Sequence, residues 1–177
     1  MKHLHLEIDD QLKLVPIEMK FAKQIFESFD SEIITFLAIE KAPEKIEDTI
    51  TFIDHSVKQI AKGHDYVWVI LCDDQFTGCC GIHDIPSRVP HFGLWIRKDS
   101  QGKGIGKKVV PFMMEWGISN LDIQYLKYPV DKRNIRSIRL IEPLNLKIWA
   151  QYEMGENKKL YVDEYRLLKE SDNSAKT

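Results

Sequence analysis

The chain has 177 residues, 44% of them hydrophobic and 29% charged, and its 25 basic and 27 acidic side chains leave a formal net charge of −2. That is one domain's length, apolar enough to bury a core without a metal or disulfide staple and too apolar to be disordered along its bulk. Generic polyanion binders are basic, so whole-surface nucleic-acid binding is disfavoured, and no run of about 18 apolar residues offers a membrane span.

In chain order, residues 11–15 alternate and predict a first strand. Pro16 then opens a helix whose stripe is Ile17, Phe21, Ala22, Ile25, Phe26 and Phe29, and Ser31 is placed to cap a short helix over 31–38. Ile46, Ile50, Ile53, Val57 and Ile60 recur at helical spacing up to Gly63, a helix-ending residue. The period then changes. Tyr66 to Cys72 is a β-prone run, Asp73-Asp74 a turn and Gln75 to Ile85 a second strand, in which Gly78 and Gly81 suggest a bulge or close backbone approach. Phe92 to Arg97 is a further strand, followed by a glycine-rich turn and a helix with the stripe Ile105, Val109, Phe112, Met113 and Trp116, kinked at Pro111.

Ile123 to Val130 makes the next strand, with Pro129 near its end. A short helix from Ile135 to Glu142 is stopped by Pro143, and two strands, 145–153 and 159–168, close the chain. The order βααα-βββ-α-β-α-ββ describes a mixed sheet with helices on both faces. Residues 1–170 read as a single domain and 171–177 as a frayed tail. Met1 to Glu7 has no apolar segment of secretory type, and Cys72, Cys79 and Cys80 lack C-x-x-C spacing. Reduced thiols of this kind fit a cytoplasmic protein.

The informative stretch is Leu94 to Lys108. A strand runs into a glycine-rich turn that becomes a helix, so glycine N–H groups and a helix start can cradle a phosphate or pyrophosphate. Five basic residues and one acidic residue lie in 97–108, a local charge of +4. The glycines at 102, 104 and 106 fit neither G-x-x-x-x-G-K-[ST] nor G-x-G-x-x-G. They do fit Q/R-x-x-G-x-G/A, as Gln101-x-x-Gly104-x-Gly106, and this resembles the acyl-coenzyme-A pyrophosphate loop of the GNAT N-acetyltransferases. Downstream, Val130, Asn134, Ser137 and Leu144-Asn145-Leu146 resemble the V-x-x-x-N-x-x-S/A…L-G-F block of that superfamily, in the branch holding the ribosomal-protein alanine and serine N-terminal acetyltransferases. The chain departs from the pattern at Asn145, where glycine is usual, and at Ile141, where many relatives carry a tyrosine that serves as the general acid.

The resemblance implies an α+β fold of GNAT type: three layers, α/β/α, with a mixed, mostly antiparallel sheet of about seven strands. It also implies transfer of the acetyl group of acetyl-CoA to a primary amine by direct attack in a ternary complex. The acceptor is a protein N-terminal amine by analogy, or a small-molecule amine. Gly102, Lys103, Gly104, Ile105, Gly106 and Lys107, with Gln101, would hold the pyrophosphate. Leu94, Trp95 and Ile96 would pair with the pantetheine arm, and Asn134 would orient that arm. Ser137 would donate a hydrogen bond or proton to the departing thiolate, and His83, Asp84, His91 and Glu153 are candidate bases, with His91 and Glu153 ranked ahead of the other two. No metal is implied, and a monomer or a homodimer fits equally.

Each residue also has a plainer role. Asn134 can cap a helix, Ser137 can be a helix-surface serine, and His83 and His91 can be strand residues with satisfied hydrogen bonds. Trp68, Trp95, Trp116 and Trp149 read as core, and Cys79 and Cys80 as packing on opposite strand faces. His3-x-His5 is weak as a metal site. The competing function is a non-catalytic acyl-CoA-binding module.

Overall fold

A computed structural model describes residues 4–169; His3 and the predicted tail 171–177 lie outside the described residues. One eight-stranded sheet organises the chain. Its strands are β1 (Leu6–Glu7), β2 (Leu12–Pro16), β3 (Tyr66–Cys72), β4 (Gln75–His83), β5 (His91–Ile96), β6 (Tyr125–Asp131), β7 (Ile148–Met154) and β8 (Leu160–Leu168). They lie in the order β1-β2-β3-β4-β5-β6-β8-β7. Every neighbouring pair is antiparallel except β5 and β6, which are parallel. The short β1 is the strand beyond the seven expected.

Four helices cover the sheet: α1 (Ala22–Ser28), α2 (Ile46–Lys62), α3 (Ile105–Asn120) and α4 (Ile135–Ile141). Successive residues of β5 show that they lie on both faces, since strand side chains alternate. The Trp95 ring meets Phe29 at the end of α1, 4.9 Å between centroids. Ile96 instead sits against Gly106 in the first turn of α3. The core is mainly apolar: Val109, Val110, Met113 and Met114 of α3 are fully buried, as are Trp68, Val69 and Ile70 of β3. The Trp68 indole donates to Leu4 O at 2.8 Å, so this buried ring keeps its polar edge satisfied.

Local chemistry moves several boundaries. Pro16 ends β2 rather than opening a helix, and the helical turn begins at Met19. Asp30, not Ser31, starts the next turn: its Oδ1 accepts from Glu32 N and Ile33 N, and the helix shrinks to a 3-10 turn over Ile33–Phe36. Strand β4 stops at His83 because Asp84 adopts a left-handed conformation, φ 64°, and gives its N–H to Asp65. Helix α3 continues through Pro111 to Asn120. Helix α4 ends at Ile141, one residue short of the expected Glu142, and Pro143 sits in the 3-10 turn Glu142–Leu144 that follows, which Asn145 leaves at φ 49°, a conformation asparagine tolerates. Trp149 is corrected from core to surface: it is 53% exposed on the edge strand β7 and stacks with Arg166.

Gly78 marks the irregularity expected in β4. The register between β3 and β4 shifts at Ile70/Leu71, and a Cβ at Gly78 would stand 2.2 Å from Trp95 O and 2.9 Å from Ile96 Cα. Both are main-chain atoms of β5, so nothing can move cheaply. Gly78→Ala is expected to destabilise the protein by about 2 kcal/mol, read as a lower midpoint in chemical denaturation.

Candidate functional site

Strands β5 and β6 share a single register pair, His91 with Lys127, where Lys127 N–H reaches Pro90 O at 2.9 Å. Main-chain groups alternate sides along a strand, so the next β6 nitrogen aimed at β5 belongs to residue 129. Pro129 has no N–H. Beyond this rung the strands part, and β6 stays zipped only to β8. On β5, Arg97 N–H bonds Thr77 O on the β4 side, so Leu94 and Ile96 turn their amides to the open side. Trp95 turns its main chain to β4 and its ring to Phe29. Ile96 O is already taken by Gln101 Nε2 at 2.9 Å.

The glycine loop lies at one end of this opening. Gly102 and Gly104 hold φ of 75° and 83° with open space where a Cβ would stand, so glycine is needed there for conformation. Gly106 is needed for packing, because its Cβ would meet Leu140 at 3.0 Å and Ile96 at 3.3 Å. Gly104 is the N-cap of α3 and no side chain caps it, so the first-turn N–H groups face outward. Three of the five basic side chains of 97–108 are paired: Arg97 with Asp99, Lys98 with Glu32 and Lys108 with Asp9. Lys103 and Lys107 have no ion pair among the described residues. Arg136 joins them from α4 by donating to Gln101 Oε1 at 3.2 Å. An uncapped helix start, two glycines and three cations suit a pyrophosphate.

The helix-covered face carries the hydroxyls. Asn134 is the N-cap of α4, and its side chain accepts from Ser137 N at 3.1 Å. Ser137 Oγ lies 2.6 Å from Tyr128 Oη on β6. Sequence reasoning missed Tyr128. Its alternation with Lys127 and Pro129 was visible, but which face of β6 meets α4 was not. Burial raises the Tyr128 phenol to about 12, so it stays protonated.

A cavity of ≈ 780 Å³ opens on the other face, and Lys127, Pro129, Asp131 and His91 reach it. The 33–40 segment and the β7–β8 hairpin are clamped together beside it. Lys158 Nζ donates to Ile34 O at 2.7 Å, to Leu37 O at 2.6 Å and to Ile39 O. Asn157 binds Glu40. Burial holds the His91 imidazole below its usual range, with the charges of His83 and Lys127 adding to the effect against Asp65 and Asp84. The His83 and His91 rings lie 5.3 Å apart, and His83 Nδ1 is 3.3 Å from Asp65. Glu153 is not gathered here: Tyr152 and Met154 line the cavity, and Glu153 alternates between them on exposed β7. Cys79 and Cys80 are both buried, and burial raises both thiols, so neither is primed as a nucleophile. Among the described residues no cluster of three or more metal-ligating side chains forms, and no helix is long and apolar enough to cross a membrane.

The acetyltransferase (GNAT) domain family matches residues 11–147. No curated protein matches the sequence. Several solved structures share the architecture. RimL, a ribosomal-protein alpha-N-acetyltransferase in complex with coenzyme A, matches at TM-score 0.80 and 14% identity, over 95% of this chain and 99% of that one. The microcin self-immunity acetyltransferase MccE, in complex with acetyl-CoA and AMP, matches at TM-score 0.81 and 18% identity, over 93% and 96%. A spermidine N-acetyltransferase from Vibrio cholerae, in complex with CoA and spermine, matches at TM-score 0.77 and 15% identity, over 91% and 97%. At these identities the likeness is one of fold.

Asp131 offers a test of the cavity wall. Its buried carboxylate accepts from Arg133 N, Nε and Nη2 and from Tyr161 N, and hydrogen bonding to Arg133 lowers its pKa to about 2. A carboxyl depressed in the folded state contributes stability above its unfolded value, near 3.8, and loses it as pH falls through the folded value. Asp131→Asn is therefore expected to cost about 2 kcal/mol at neutral pH, since a charge-assisted network is lost while half-exposed Arg133 keeps some solvent. The difference from wild type should shrink towards pH 2 in denaturation curves.

Proposed function

This chain belongs to the GNAT acetyltransferase family, and from that premise we propose how its residues divide the work of an acetyl-CoA-dependent N-acetyltransferase. Acetyl-CoA is the co-substrate and a primary amine the acceptor. The observation that carries the assignment is the opening between β5 and β6, which leaves Leu94 and Ile96 amides beside the glycine loop. Amides of the pantetheine arm suit that edge as an added strand would. Main-chain N–H groups of residues 102–107 suit the pyrophosphate, with Lys103, Lys107 and Arg136 supplying charge. Asn134 acts by fixing the start of α4, and thereby Ser137.

The reaction joins amine nitrogen to acetyl carbon and breaks the carbon–sulfur bond. The amine gives up a proton and the thiolate takes one. Burial disfavours the cation of His91, on the cavity side, and so favours the neutral imidazole that can accept a proton; it is the base we assign. Ser137, on the helix side, is the acid; either hydroxyl of the Tyr128–Ser137 pair can donate, and with Tyr128 taken as donor to Ser137 Oγ the serine proton is left for the sulfur. Glu153 has no part in this scheme, lying off the cavity wall. Orientation of amine against thioester supplies the largest share of the acceleration, on the order of 7 kcal/mol or more.

Thermal denaturation with acetyl-CoA, coenzyme A, ATP and NAD in parallel tests the assignment of the opening. A ligand at ~100 times its Kd adds roughly 2.7 kcal/mol, and only the two coenzyme A species are expected to raise Tm. Stabilisation by ATP or NAD instead would sink the loop assignment. Ser137→Ala is expected to lower kcat by about tenfold or more while coenzyme A affinity stays within about twofold, and Tyr128→Phe to lower kcat less. The acid limb of kcat/KM against pH should titrate below 6.5, the unperturbed His91 value, and vanish in His91→Gln. A limb that persists in that variant would remove His91 from the mechanism.

A further inference from the structure

The cavity on the far side of the opening has a chemical character that selects its amine. Phe29, Phe36, Phe52, Trp95, Tyr152 and Met154 bring aromatic and thioether surface to it, and ≈ 780 Å³ is the size of a small-molecule site. Nearly all of its charged groups are already engaged. Asp131 is closed by Arg133 and Tyr161 N. Asp48 accepts from Glu44 N and Lys45 N at the start of α2. Lys41 pairs with Glu44, and His83 faces Asp65.

Lys127 is the exception. It is half-buried on β6, paired in register with His91, and lines the cavity. Among the described residues its ammonium has neither an ion pair nor a hydrogen bond. A partly desolvated cation on an apolar wall attracts an anion and repels a second positive charge.

We propose that the acceptor is a hydrophobic α-amino acid, whose carboxylate meets Lys127 and whose side chain lies against the aromatic wall. The proposal rests on the acetyl-transfer reading above. The geometry is consistent with it: amine and carboxylate share one carbon in such a molecule, and His91 and Lys127 are register partners on adjoining strands. A polyamine finds no open carboxylate on this wall for its second ammonium. A protein N-terminus offers the amine but no carboxylate beside it.

The test follows thiol release from acetyl-CoA with L-phenylalanine, phenethylamine, spermidine and a phenylalanyl peptide amide. Wild type, Lys127→Met and Lys127→Arg are compared. Phenylalanine is expected to exceed phenethylamine in kcat/KM by roughly tenfold or more, the worth of a charge-assisted contact. That ratio should collapse towards one in Lys127→Met and recover in Lys127→Arg. Because the two amines differ only in the carboxylate, a general loss of packing or a shift of His91 would lower both and leave the ratio alone. Preference for spermidine or the peptide overturns the proposal, as does a ratio that Lys127→Met leaves unchanged, or no transfer to any of the four. In that last case coenzyme A still raises Tm if only the acceptor class is wrong, and fails to raise it if the acetyl-transfer reading has failed as well.

Discussion

Between β5 and β6 the sheet is held by one rung, Lys127 N–H to Pro90 O, and the next nitrogen in line is that of a proline. A parallel pair that continued would have closed the middle of the sheet. Because Pro129 carries no donor, the strands separate, and Leu94 keeps its amide groups unused by any neighbouring strand. The close approach at Gly78 works on the other side of β5, where main chain meets main chain too tightly for any side chain. The glycine loop, the hydroxyl pair and the apolar cavity all take their positions from this one opening.

The opening also divides the chemistry between two faces. Ser137 and Tyr128 lie under α4, and His91 and Lys127 lie across the sheet in the cavity. Alternation along β6 produces the division without further machinery, since Tyr128 and Lys127 are chain neighbours facing opposite ways. Proton removal from the amine and proton delivery to sulfur can then occur at separate places. The two sites differ in polarity as well: one is a hydroxyl pair beside a helix start, the other an aromatic chamber with one ammonium, that of Lys127, uncompensated among the described residues.

Burial sets the protonation states, and ion pairing sets the surface charge. Desolvation raises the Tyr128 phenol and lowers the His91 imidazole, each towards the form its assigned role requires. Around the loop, Asp99, Glu32 and Asp9 absorb three of the basic side chains, so the charge offered to an anion comes from Lys103, Lys107 and a residue of another helix, Arg136. Lys158 has a structural task instead, closing the carbonyl ends of the 33–39 segment and tying the β7–β8 hairpin over the cavity.

The sequence by itself determined the long elements, α2, α3 and the β3–β4 hairpin, because periodicity and turn residues are local properties. It also determined the glycine loop and the capping asparagine, since Gln101-x-x-Gly104-x-Gly106 and Asn134-x-x-Ser137 lie within a few residues of each other. Boundaries slipped where a distant partner decided them: β4 ends where Asp84 reaches Asp65, and Trp149 lies on an edge strand that nothing among the described residues covers. Only the tertiary structure decided which hydroxyl stands behind Ser137, that Glu153 lies off the cavity wall, and that Lys127 has no counter-ion among the described residues while Asp131 and Lys41 of the same wall are paired. These facts depend on which strands adjoin and which face each one turns to a helix. Such choices are made by packing between elements far apart in the chain, and no local pattern encodes them.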